Sequence, residues 1–154
     1  MKNKILFKIL IFLAGINLSL FCSPAYSAES TSRENQIKAA FLYNFAQLVD
    51  WPQTPEQEDF LTIGFVGDRP LRESFQVFDG KVVKSKTIRI KSLERTDDFT
   101  SVDILFIGEE DQRYLQNQRR SLINAHVLTV SDGKNFTREG GIIEFYEWKN
   151  KIHF

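Results

Sequence analysis

Leu61-Thr62-Ile63-Gly64-Phe65-Val66-Gly67, followed at once by Asp68-Arg69-Pro70-Leu71, carries two structural signals back to back. The first is a continuous apolar run of strand length. A strand with one wet face alternates, whereas one covered on both faces has no need to. The second is a helix start. Asp68 can accept from the free N–H groups of a first turn, and Pro70 lies where its missing N–H does no harm. Leu71, Phe75 and Phe78 then form an apolar stripe at helical spacing until Gly80 stops it. Strand, short loop and helix make the first half of a βαβ unit.

The pattern recurs downstream. Lys86 to Lys91 alternates, with Ile88 and Ile90 on one side and Arg89 and Lys91 on the other, and reads as a strand with one wet face. Val102 to Ile107 is again nearly all apolar and ends at Gly108. Glu109, Glu110 and Asp111 stand where the N-terminal dipole of the next helix favours acids. That helix carries Tyr114, Leu115, Leu122 and Ile123. Ala125 to Val130, which includes His126, reads as another buried strand, closed by a Ser131-Asp132-Gly133 turn. After Gly140-Gly141, a strand from Ile142 to Trp148, a Lys149-Asn150 turn and a strand from Lys151 complete the chain. Such alternation predicts a single three-layer α/β domain. Its sheet is mostly parallel, with about five or six strands, helices on both faces and an antiparallel hairpin at one edge. An edge strand that stops at Phe154 is left bare, which suggests a fragment.

Upstream of the first strand, Glu34 to Val49 is predicted to be a helix whose strongest face is Ile37, Phe41, Phe45 and Leu48. Leu42, Ala46, Val49 and Ala39 widen that arc to about 200°. The arc is wider than one sheet face would cover, so the helix is either wedged deeply into its own domain or also meets a partner. Glu29 to Asn35 reads as a loose polar lead-in, and Gln53 to Asp59 as a loop after Trp51-Pro52.

The first 27 residues have a separate logic. Lys2, Lys4 and Lys8 precede an apolar stretch, and Ala25 and Ser27 supply small residues before Ala28. That is the layout of a cleavable secretory signal, which leaves residues 28–154 as the exported domain. Cys22, the only cysteine, falls inside the signal and follows the bulky Phe21, which disfavours lipidation. Removing the three lysines turns a balance of 20 basic and 20 acidic residues into 17 and 20. The exported domain is thus mildly acidic, which argues against nucleic acid as a partner.

Catalytic signatures are weak. Gly64-Phe65-Val66-Gly67 is not a dinucleotide fingerprint, and no phosphate-binding lysine follows it. His126 and His153 lack metal-ligand spacing. Ser131, Asp132 and His126 have the letters of a hydrolase triad, but no strand–serine–helix elbow holds them. We therefore expect no catalytic set, cofactor or metal. One geometric feature remains, since open α/β sheets bind ligands at their strand C-terminal ends. Asp68, Arg69, Glu109, Ser131 and Asp132 gather there and are the candidate small-molecule crevice.

Three blocks read together carry a resemblance. They are Ile37 to Ala46 leading to Trp51-Pro52; Ile63 to Asp68 with Asp103 to Gly108; and Leu128 to Gly133 followed by Phe136 and Gly140 to Glu144. In these the chain resembles the YfiR-like periplasmic domain family. The resemblance implies a dimeric periplasmic regulator that represses a membrane-bound diguanylate cyclase through its sensor region. It implies too that an outer-membrane lipoprotein relieves that repression. It also implies a closing amphipathic helix, which this sequence lacks, and disulfide cysteines found in some relatives, which are absent here. On this reading Tyr43, Gln47 and Trp51 are the expected partner contacts, and the ligand crevice is the alternative.

Overall fold

The structure, a computed structural model, describes residues 25–51 and 59–154. The chain divides into two units, Met1–Thr31 and Ser32–Phe154, and every strand among the described residues belongs to the second. The signal-peptide reading falls mostly on residues 1–24, and the loop reading mostly on 52–58. Both stretches lie outside the described residues.

The elements in chain order begin with α1 (Ala25–Leu48), β1 (Phe60–Val66), α2 (Arg69–Phe75), β2 (Val82–Val83) and β3 (Lys86–Leu93). Then come β4 (Ile104–Ile107), α3 (Gln112–Asn124), β5 (Leu128–Ser131), β6 (Ile143–Glu144), β7 (Tyr146–Trp148) and β8 (Lys151–His153). Six strands form one sheet in the order β2-β3-β1-β4-β5-β6, all parallel except β2. The continuous apolar strands take the centre, where both faces are covered. Ile63 pairs with Ile90 on one side and Ile104 on the other, and Ile104 pairs in turn with Leu128.

Alternate residues of these strands feed two cores. Leu61, Ile63, Phe65, Ile104, Phe106 and Val130 face α1 and α2, where they meet Leu42, Phe45, Leu71 and Phe75. Val66, Leu105 and Ile107 face the opposite side with Phe99, Leu115, Leu122 and Phe136. This is the expected three-layer α/β arrangement, with helices on both faces. Asp68 caps α2 as expected, its Oδ1 accepting from the N–H of Leu71 at 2.9 Å.

Several local expectations need correction. The stretch Glu29 to Asn35 is helical, because α1 begins at Ala25. Adding a residue to a helix already nucleated by a packed segment costs far less than starting one. The buried face of α1 is also rotated from the stripe read in the sequence. It consists of Asn35, Lys38, Ala39, Leu42, Phe45 and Ala46, whereas Ile37 is 39% and Leu48 76% exposed. His126 is in no strand: it is exposed at φ +57, in the turn between α3 and β5.

The antiparallel edge moves as well. The strand expected from Ile142 to Trp148 breaks at Phe145, whose N–H donates to the Ser131 carbonyl and whose ring is buried. Ile143 and Glu144 therefore extend the main sheet in parallel, while β7 and β8 pair only with each other. Lys149 and Asn150 form the expected turn, both at positive φ. The antiparallel strand of the main sheet is β2, at the opposite edge. It reaches β3 through Lys84 and Ser85 at φ 48 and 70, a pair without the glycine or asparagine that announces such turns.

Candidate functional site

The five parallel strands run in the order second, first, third, fourth, fifth, and the order reverses between β1 and β4. Crevices at such reversals are where open α/β sheets take ligands. The chain builds this rim from close-approaching backbone. Gly67 has φ +86, and a Cβ there would collide with Asp111 Oδ2. A Cβ on Gly108 would come within 3.3 Å of the Asp68 nitrogen.

A lysine from α1 occupies the middle of this rim. Lys38 is 6% exposed, and its Nζ bridges Glu34 at 2.7 Å and Asp132 at 2.8 Å. Burial pulls its ammonium toward neutrality, but the hydrogen bonds and charges of Asp132 and Glu34 outweigh that and leave its pKa above the ordinary 10.5. Burial also raises the Asp68 carboxyl, the Leu71 N–H opposes this, and the nearby Asp132 charge adds to the rise.

Around this lysine the five expected crevice residues separate. Asp68 and Arg69 line an open crevice of about 490 Å³ with Arg72, Arg95 and Asp111. Glu109 and Asp132 line a second groove of about 410 Å³ with Glu34, Lys38 and Glu147. Ser131 is fully buried, and its Oγ accepts from the Gly133 N–H at 3.0 Å, so it presents nothing to a ligand. Arg69 turns back along its own helix to Glu73. Arg95 pairs with the buried Asp111.

The expected partner contacts also fare unevenly. Gln47 is exposed. Trp51 is 8% exposed, with its indole N–H donating to the Ala46 carbonyl at 2.9 Å, so it belongs to the core and offers almost no surface. An indole that folds back onto the end of its own helix satisfies its donor and buries its ring together. Tyr43 is half-buried, stacked on Phe78 with ring centroids 4.4 Å apart.

Glu34 and Lys38 are site residues that the motifs do not single out. A signal for them is nonetheless present: a lysine four residues after a glutamate, on the same turn face as Leu42 and Asn35. Among the described residues no group of three His, Cys, Asp or Glu side chains is arranged to hold a metal ion. No helix among them is long and apolar enough to cross a membrane.

The raised carboxyls give a pH prediction. Asp68 and Asp103 both lie above 3.8, each chiefly through burial, so the folded state holds their protons more tightly than the unfolded state. Their ionisation therefore weakens the fold as pH rises through the raised values. The urea midpoint should climb modestly as pH is lowered from neutral toward the raised values, and Asp68→Asn should flatten that climb. An unchanged slope in the variant would remove Asp68 as a source.

No curated protein matches the chain. A family model described as YfiR/HmsC-like, DUF4154, matches residues 35–154, which takes in every described strand, the rim of the sheet and the buried face of α1 from Asn35 onward. The chain therefore belongs to the YfiR/HmsC-like family.

Proposed function

We propose that this protein is a periplasmic regulator that binds the periplasmic sensor region of an inner-membrane diguanylate cyclase and represses it. Family membership suggests a periplasmic regulator, and the YfiR-like family is not a known enzyme family. In this reading the protein acts as a homodimer and is released by an outer-membrane lipoprotein.

The observation that carries the reading is the outer stripe of α1. Ile37, Phe41 and Leu48 share one side of the helix, at spacings of four and eleven residues. Ile37 is 39% exposed, Leu48 76%, and Phe41 only half-buried under Phe145 and Phe154. Phe41 is already used inside the domain, but Ile37 and Leu48 on the same side remain exposed. Such surplus marks a contact surface.

Replacing Ile37 and Leu48 together by aspartate should leave the unfolding midpoint almost unchanged, since neither is buried. Retention of the membrane signalling protein from detergent extract should weaken by about tenfold or more. Cellular cyclic-di-GMP should rise to the level of a strain lacking the protein. Unaltered retention and unaltered cyclic-di-GMP would overturn this use of the stripe.

The alternative is a small-molecule regulator using the 490 Å³ crevice beside Asp68 and Arg69. It is favoured by the position of that crevice at the reversal of strand order. A thermal-shift screen separates the two readings. A ligand at 100 times its dissociation constant adds about 2.7 kcal/mol of stability.

A further inference from the structure

The β7–β8 hairpin presents two unlike faces. Its pairs are Tyr146 with His153, Glu147 with Ile152 and Trp148 with Lys151. Ile152 packs against the α1 core, and Phe154 places its ring 5.1 Å from Phe41 and 5.0 Å from Phe45. These contacts, with buried Phe145 at the base, hold the hairpin against the domain. The other face, with Tyr146 and Trp148, is left outward. Tyr146 is 51% and Trp148 61% exposed. Lys151 lies across from Trp148, and the Lys149 ammonium stands 5.8 Å above the indole. Arg138 and Ile142, itself 56% exposed, continue the surface along a groove that Tyr146 shares.

Exposed tryptophan and tyrosine suit either a protein or a membrane interface, because each joins an apolar body to a polar tip. The cations distinguish the two. Lysine is depleted from the core of protein interfaces, since its hydrated charge resists desolvation. At a bilayer surface it loses little, because its stem follows the apolar layer while the ammonium reaches the headgroups. Arg138 shares its groove with Glu144, and Glu147 sits with Ile152 on the inward face, so the outer face carries two lysines beside two aromatics, a local charge complement to an anionic leaflet.

We propose that the outer face of this hairpin is a membrane-interface anchor, with Trp148 and Tyr146 entering the headgroup layer and Lys149 and Lys151 meeting anionic lipid phosphates. The hairpin then holds the domain reversibly against the leaflet in which a membrane partner would be embedded. The proposal goes beyond the repression reading and stands apart from it, since its probe contains lipid and no protein.

Protein recovered from periplasmic extract is mixed with vesicles of phosphatidylethanolamine and phosphatidylglycerol, or of phosphatidylcholine alone, and sedimented. Binding is expected on the anionic vesicles only, with a blue shift of tryptophan emission and loss at high salt. Lys149→Gln and Lys151→Gln should each weaken it by about fivefold, the effect of one charge at such a surface. Trp148→Ala should abolish the emission shift and Trp148→Phe should restore sedimentation, while Leu48→Ser on α1 should change neither. All these side chains are exposed, so unchanged circular dichroism confirms folding. Absence of sedimentation, equal sedimentation with both lipids, or indifference to the Trp148 and lysine variants would overturn the anchor. So would a Trp148-dependent protein partner in the absence of vesicle binding, which would assign the face to that protein.

Discussion

Replacing Lys38 by methionine is expected to lower the unfolding free energy by about 3 kcal/mol at neutral pH. Methionine keeps most of the stem, so the loss is one of charge rather than volume. Asp132 is left at 22% side-chain exposure and Glu34 at 40%, with the half-buried Asp68 close by and no ammonium among them. Removing one partner of a buried pair typically costs about 3–5 kcal/mol. The partial exposure of Glu34 puts this case at the lower end. Lys38 itself is raised above 10.5, so its contribution is intact at neutral pH and fades only as pH rises past that value. Asp132→Asn in the Lys38→Met background should recover part of the loss. Denaturant titrations of the single and double variants at neutral pH test this. A small cost, or no recovery in the double variant, would mean that the ammonium does not hold the rim together.

The same lysine shows where the sequence stops being legible. The central strands can be read because each is a continuous apolar run, a pattern that only coverage on both faces explains. The α2 start can be read because Asp68 and Pro70 each have a stereochemical reason to stand there. The rotation of α1 cannot, since its apolar arc is so wide that periodicity leaves its direction open. No pattern in the helix therefore says that Lys38 is more buried than Ile37 beside it. β2 and the break at Phe145 are hidden for another reason. Both depend on pairing partners far along the chain, and neither turn chemistry nor composition reports those. The crevice position follows from topology alone. That its residues fall into two grooves, only one of them lined by Lys38, does not follow from topology.

Phe145→Ala should be the most damaging single truncation near the C-terminal hairpin, at about 3–5 kcal/mol. The ring is 2% exposed and stands 6.0 Å from Phe41 and 6.1 Å from Phe45, so its loss leaves a cavity lined by other aromatics. Its backbone N–H, donated to the Ser131 carbonyl, is the last rung joining the chain to β5 before β7 departs. A two-stranded hairpin has little stability of its own and relies on this base for its position. The variant should lower the melting temperature and also speed amide exchange across β7 and β8 more than across β1 and β4. Vesicle sedimentation should fall with it, although Trp148 and both lysines are unchanged. Phe145→Leu should restore most of the stability and the sedimentation together, because it refills the space without altering the outer face. If the alanine variant lost stability but sedimented normally, the anchor would not depend on a hairpin held in place by the core. The aromatics and lysines would then act as a loose basic tail.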